Sequence, residues 1–116
     1  MDYKEKFTLE ERKKESERIS VKYPTRIPII CHRSSACKDA PIMEKKKFLV
    51  PKDMTMANFM FIIRQKMKLK QEKSIYLFVN DNNMVPTSQL ISQIYSEYGD
   101  EDGFLYIKYG MESTFG

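Results

Sequence analysis

The sequence predicts an α+β domain in which one main helix lies across a small β-sheet. Three observations carry this reading. Thr55 to Leu69 holds Met56, Phe59, Met60, Ile63 and Met67 at helical spacing, the strongest periodic signal in the chain. Short runs rich in β-branched and aromatic residues occur at 27–31, 48–50, 75–79 and 104–109. From residue 27 onward the order is therefore strand, strand, helix, strand, short helix, strand. That order fits a β-grasp, and a ferredoxin-like arrangement also satisfies the periodicity.

Each element has a local cause. Residues 2–23 are rich in Glu, Lys and Arg and hold no Gly or Pro, so they favour helix. Thr8 with Glu11 three residues later is a capping-box pattern that starts a helix near residue 8, and Pro24 stops it. Its apolar content is thin, with Leu9, Ile19, Val21 and Tyr23 as the expected buried residues. Ile27 to Cys31 and Phe48 to Val50 form a hairpin across a polar stretch from Arg33 to Lys38, and Pro51 ends the second run. Pro28 has no N–H, so its part of the first strand is not fully bonded on both sides. Asp53 or Thr55 caps the main helix, where Phe61 and Ile62 fall beside the apolar stripe. Ile75 to Val79 ends at Asn80-Asp81-Asn82-Asn83. Pro86-Thr87-Ser88 leads into a short helix with Leu90, Ile91, Ile94, Tyr95 and Tyr98 on one face. In the last strand, Leu105, Ile107 and Tyr109 alternate with Phe104, Tyr106 and Lys108.

Composition narrows the function classes. With 116 residues, 41% apolar and 31% charged, the chain reads as one globular domain that needs no disulfide staples. No apolar run approaches the roughly 20 residues of a spanning helix, and the start lacks a signal peptide, so the expected compartment is the cytosol. The charge is polarised. Residues 1–33 carry nine basic and six acidic groups, residues 34–73 ten and four, and residues 74–116 one and six. An acidic peptide, an anionic membrane or nucleic acid each fits the basic part.

Little argues for catalysis. His32 is the only histidine, and Cys31 and Cys37 have neither Cys-x-x-Cys spacing nor further ligands, so no metal site is expected. Adjacent strand residues point to opposite faces, which separates Cys31, expected in the core, from His32, expected in solvent. The four glycines all follow residue 98, and none forms a phosphate loop. Asp100-Glu101-Asp102 reads as a solvated turn. No cofactor and no enzyme are expected. A nucleic-acid domain is disfavoured because most aromatics are assigned to the core or a groove, and the most aromatic strand lies in the acidic third.

An ordered set of segments adds a resemblance. Glu15-Ser16-Glu17-Arg18-Ile19, Tyr23-Pro24, Arg26-Ile27-Pro28-Ile29-Ile30, Lys45-Lys46-Lys47-Phe48-Leu49-Val50-Pro51, Phe61-Ile62-Ile63-Arg64, Pro86-Thr87-Ser88, Phe104-Leu105-Tyr106-Ile107 and Glu112-Ser113-Thr114-Phe115-Gly116 occur at matching spacing. Together they resemble the autophagy ubiquitin-like modifier family, of the microtubule-associated protein light chain 3 and GABA-receptor-associated protein type. The resemblance implies a ubiquitin-like β-grasp, with a four-stranded sheet, one main crossing helix and two extra N-terminal helices. It implies an N-terminal helical extension at 1–24, a ubiquitin-like domain at 25–110 and a conjugation tail at 111–116.

The resemblance also implies a function: lipid conjugation through Gly116 to phosphatidylethanolamine, which takes the chain from the cytoplasm to the autophagosome membrane. The implied partners are activating and conjugating enzymes, a deconjugating cysteine protease, phosphatidylethanolamine membranes, and adaptor proteins with aromatic-x-x-aliphatic motifs. Carried over by position, Glu15, Ile19, Pro28, Ile30, Lys47, Leu49 and Phe104 line the aromatic pocket. Phe48, Val50, Pro51, Phe59, Ile62 and Ile63 line the aliphatic pocket, and Lys45, Lys46, Arg64 and Lys66 meet acidic residues of the ligand. The alternative reading is a ubiquitin-like peptide-binding module that is never lipidated.

Overall fold

The computed structural model describes residues 2–37, 40–69 and 73–111. The chain folds as α1 (Tyr3–Lys6), α2 (Leu9–Lys22), β1 (Arg26–Arg33), β2 (Lys47–Pro51), α3 (Met56–Met67), β3 (Ile75–Val79), α4 (Ile91–Tyr98) and β4 (Leu105–Met111). The four strands lie in the order β2-β1-β4-β3. β1 pairs antiparallel with β2 and parallel with β4, while β3 pairs antiparallel with β4. A parallel β1–β4 pair at the centre with α3 crossing one face is the β-grasp solution, not the ferredoxin-like one.

The sheet is covered on both faces. Ile27, Ile29, Phe48, Val50, Leu105, Ile107 and Tyr109 pack with Met56, Phe59, Ile63 and Met67 of α3 and with Ile91 and Ile94 of α4. On the other face Ile30, Phe104 and Tyr106 meet Ile19 of α2, with Tyr3 and Leu49 packed against them. The two-residue alternation of β4 thus serves two cores.

Local signals fix the element ends. Thr8 Oγ1 accepts from the Glu11 N–H and Glu11 Oε1 from the Thr8 N–H, completing the capping box. Thr55, not Asp53, caps α3 by accepting from Asn58 N–H. The Cys31 N–H donates to the Lys46 carbonyl, so odd-numbered residues of β1 bond to β2. The nitrogen of Pro28 therefore faces the β4 side, where pairing begins one residue later, at Ile29. A central strand tolerates this proline because it precedes the second ladder.

Several expectations about burial change. Val21 is 84% exposed and Tyr23 is exposed as well. Leu9 is half-buried. The inner face of α2 is instead Arg12, Ser16 and Ile19. His32 is half-buried rather than solvated, and burial lowers its pKa. The 34–46 connection is less polar than it reads, since Cys37, Ala40 and Met43 enter the core. The turn at 100–102 is only partly solvated, because Asp102 is buried. Gly103 beside it has a φ of 92°, and a Cβ there would fall on the Ser16 hydroxyl. β4 extends to Met111, which pairs with Ile75, so this residue belongs to the sheet.

Candidate functional site

β2 lies at the edge of the sheet, and its residues alternate between two environments. Thr25, Ile29 and Cys31 sit in register with Lys52, Phe48 and Lys46, the positions whose backbone groups bond to β1. Lys47 and Leu49 consequently turn their backbone N–H and C=O groups to the outer edge. Their side chains share the α2 face with their register partners Ile30 and Pro28. The side chains of Phe48 and Val50 enter the α3 face. One edge strand thus presents two faces at once.

On the α2 face, a depression of about 480 Å³ opens between α1, α2 and β2. The structure brings Glu15, Ile30 and Lys47 together in its wall, and adds Tyr3, Phe7 and Lys46. Ile19 and Phe104, at 1% and 0% exposure, form the packed layer behind it with Ile30. Leu49 is half-exposed beside that layer, which suits it to contact a ligand. Pro28 lines a separate depression with Ser20, Pro24 and Tyr95. Tyr3 and Phe7, whose rings lie 5.0 Å apart, come from the part of the chain where the sequence is least informative. Their aromatic character in a charged segment was the available signal.

Glu15 ties the two walls together. Its carboxylate pairs with Arg18 Nε at 2.6 Å and with Lys47 Nζ at 2.5 Å. These hydrogen bonds, that from Arg18 first, hold its pKa down from 4.5 to about 2. A carboxylate depressed on folding contributes stability that is complete above 4.5 and is lost as pH falls from 4.5 towards 2. In Glu15→Gln, urea midpoints are expected to fall less across that window than in the parent. A pair of identical pH profiles would show that the carboxylate contributes nothing there.

On the α3 face, Phe48, Val50, Phe59 and Ile63 are core residues, and the Phe48 and Phe59 rings meet edge to face at 5.6 Å. Of the six residues assigned to an aliphatic pocket, Pro51 and Ile62 are the half-exposed ones. The other four form the layer behind them. Phe61, 61% exposed on α3, is a further apolar surface that the helical stripe does not use. Lys45 holds its ammonium 5.2 Å from the Phe48 ring, and Lys46 and Lys66 are exposed. The Arg64 guanidinium donates to the Lys73 carbonyl. Arg26, not foreseen as a site residue, donates from Nη1 to the Leu49 carbonyl at 3.1 Å, on the outer edge itself.

Gly116 lies outside the described residues, as does everything after Met111. Among the described residues, no group of three or more His, Cys, Asp or Glu side chains is arranged to hold a metal ion. No helix among them is long and apolar enough to cross a membrane.

This architecture has known counterparts. Residues 11–116 match the family described as autophagy protein Atg8 ubiquitin like. The chain belongs to the Atg8 family. Autophagy-related protein 8 of Candida glabrata is 47% identical over 114 residues, covering 98% of this chain and 95% of the relative. Autophagy-related protein 8 of Schizosaccharomyces pombe is 48% identical, covering 98% and 93%. Among solved structures, the crystal structure of Trypanosoma brucei ATG8 superposes with a TM-score of 0.92 at 38% identity, covering 100% of this chain and 98% of that one. The Atg8 assignment accounts for the β-grasp and for both N-terminal helices, and makes this an autophagy-related ubiquitin-like protein.

Proposed function

We propose that the chain is a ubiquitin-like modifier conjugated through Gly116 to phosphatidylethanolamine, and that it recruits adaptors to autophagosome membranes by binding aromatic-x-x-aliphatic motifs. In that role it is the substrate of activating, conjugating and deconjugating enzymes, not a catalyst. Membership of the Atg8 family supports the conjugation half. The observation that carries the binding half is the outer edge of β2, where the backbone groups of Lys47 and Leu49 face an added strand, which would share the Leu49 carbonyl with Arg26 or displace it.

The motif's spacing suits this edge. In an extended peptide, residues three apart point to opposite faces. An aromatic residue followed by two spacers and an aliphatic one thus sends its anchors to opposite sides of the added strand. The first meets the depression bounded by Glu15, Ile30 and Lys47, and the second meets Pro51 and Ile62. Acidic residues flanking the motif find Lys45, Lys46, Arg64 and Lys66. The apolar anchors dominate affinity, since an exposed ion pair contributes about 0–1 kcal/mol.

Leu49→Ala is expected to weaken binding of a motif peptide about tenfold, equivalent to about 1.4 kcal/mol, in isothermal calorimetry. Leu49 is half-exposed, so the variant should retain its fold by circular dichroism. Unchanged affinity in a folded variant would remove the edge from consideration.

A further inference from the structure

The charge asymmetry of the sequence is also an asymmetry of the fold. β4 ends at Met111, opposite Ile75, and β1 ends where Arg33 pairs with Tyr109. Lys46 meets Cys31 at this same end of β1, with Lys45 preceding it. α3 also finishes here, with Lys68 as its last cap, and the Arg64 contact to the Lys73 carbonyl joins it to the start of β3. Arg33, Lys45, Lys46, Lys68 and Lys73 thus lie at the end of the sheet that holds Met111, the last described residue. Ile42, 65% exposed, shares the wall of one depression with Arg33 and Lys46, and with Asp2 and Glu5 at the chain's start, which leave the cations at this end in excess. The acidic turns lie at the far end, with Asp81 after β3 and Asp100 to Asp102 before β4.

Taken with conjugation at Gly116, on which it rests, the geometry points to this basic end as a docking surface for the anionic headgroups of the membrane that carries the conjugate. Gly116 follows Met111 by five residues, a reach of at most about 17 Å at roughly 3.5 Å per residue. The body measures 40 × 30 × 23 Å, so this leash is shorter than its smallest dimension. The basic end is held against the bilayer. The acidic turns lie about 20 Å further away, the length of β4, and beyond a Debye length of about 8 Å at physiological salt. The membrane therefore experiences the positive end of a polarised molecule, and Ile42 adds an apolar contact at the headgroup level.

A chemical tether tests this without the conjugating enzymes. Cys31 and Cys37, the chain's two cysteines, are buried, so in Gly116→Cys the introduced thiol couples selectively to a maleimide lipid in vesicles. Lysine acylation is then followed by mass spectrometry on phosphatidylcholine vesicles with and without phosphatidylserine. Lys45, Lys46, Lys68 and Lys73 are expected to react at least about fivefold more slowly on the anionic vesicles, the protection vanishing in molar salt, where the Debye length falls to about 3 Å. Lys22 and Lys52, at the opposite end, should react equally on both. Equal rates for the first group on the two lipids, or equal slowing of all six lysines, would overturn the proposal. If protection is seen with the tether but enzymatic conjugation of Gly116 fails, the docking surface stands and the conjugation reading falls alone.

Discussion

Asp102→Ala is expected to cost about 3–5 kcal/mol of stability, the range for removing one partner of a buried ion pair. The Asp102 side chain is fully buried. Its Oδ1 accepts from the Phe104 N–H at 2.9 Å and its Oδ2 from the Tyr106 hydroxyl at 2.5 Å. Arg12 Nε lies 3.5 Å from Oδ2, and Arg12 Nε and Nη1 make no hydrogen bond among the described residues. The carboxylate is thus the counter-charge of a buried guanidinium two of whose nitrogens have no hydrogen-bond partner among the described residues. Burial, reinforced by Asp102, holds the Tyr106 phenol far above its ordinary pKa, so it remains a donor to Asp102 at any working pH.

Removal of Asp102 leaves a buried positive charge unpaired and two donors without acceptors. Tyr106→Phe, which deletes a single hydrogen bond, is expected to cost about 1 kcal/mol. The double variant Arg12→Met with Asp102→Ala should recover most of the loss, because it removes both charges and fills the space. Urea unfolding of the four proteins measures all of this. A loss under about 1 kcal/mol in Asp102→Ala would mean that water reaches Arg12. The effect extends to function, since the pair, with the Ser16 hydroxyl donating to the Asp102 carbonyl at 2.5 Å, seats α2 on the sheet. α2 also supplies Glu15 to the groove. Motif affinity should therefore fall in Asp102→Ala even under conditions where it is folded.

The same network marks where the sequence is hard to read. Arg12, Ser16 and Ile19 recur at i, i+4 and i+7, a helical inner face, but two of the three are polar and leave almost no hydrophobic signal. Their partner is some 90 residues away, in an acidic run that looks solvated. By contrast, the Thr8 cap, the apolar stripe of α3 and the alternation of β4 are local patterns, and each appears in the fold, while the fold chooses Thr55 over Asp53 as the cap of α3. The alternation of Lys47-Phe48-Leu49-Val50 is equally local. That β2 is the edge is not, because strand order depends on a parallel pairing of β1 with β4, more than 70 residues apart. The family resemblance gathered into one pocket residues that the fold divides into a wall and a packed layer behind it.

Deletion of Gly116 is expected to abolish the lipid-linked form entirely while leaving motif binding unchanged. Conjugation requires a free carboxyl group on a residue that threads an enzyme site and presents no side chain to the attacking amine. A chain cut to end at Phe115 would instead present a bulky benzyl side chain next to the carboxyl carbon that the amine attacks. Gly116→Ala places only a methyl group there and should be conjugated slowly instead of not at all. The groove walls come from α1, α2, β1, β2 and α3, all of which precede residue 68 in the chain. Two acyl chains, at about 0.8 kcal/mol per buried CH₂, anchor a domain far more firmly than its basic end does. Loss of the lipid should therefore release the protein from membranes at physiological salt. Intact-mass analysis of the membrane fraction from cells decides the matter. The parent should carry the mass of phosphatidylethanolamine less one water, and the deletion variant should be absent from that fraction. A membrane-bound, mass-shifted species that survives the deletion would place the attachment at another residue.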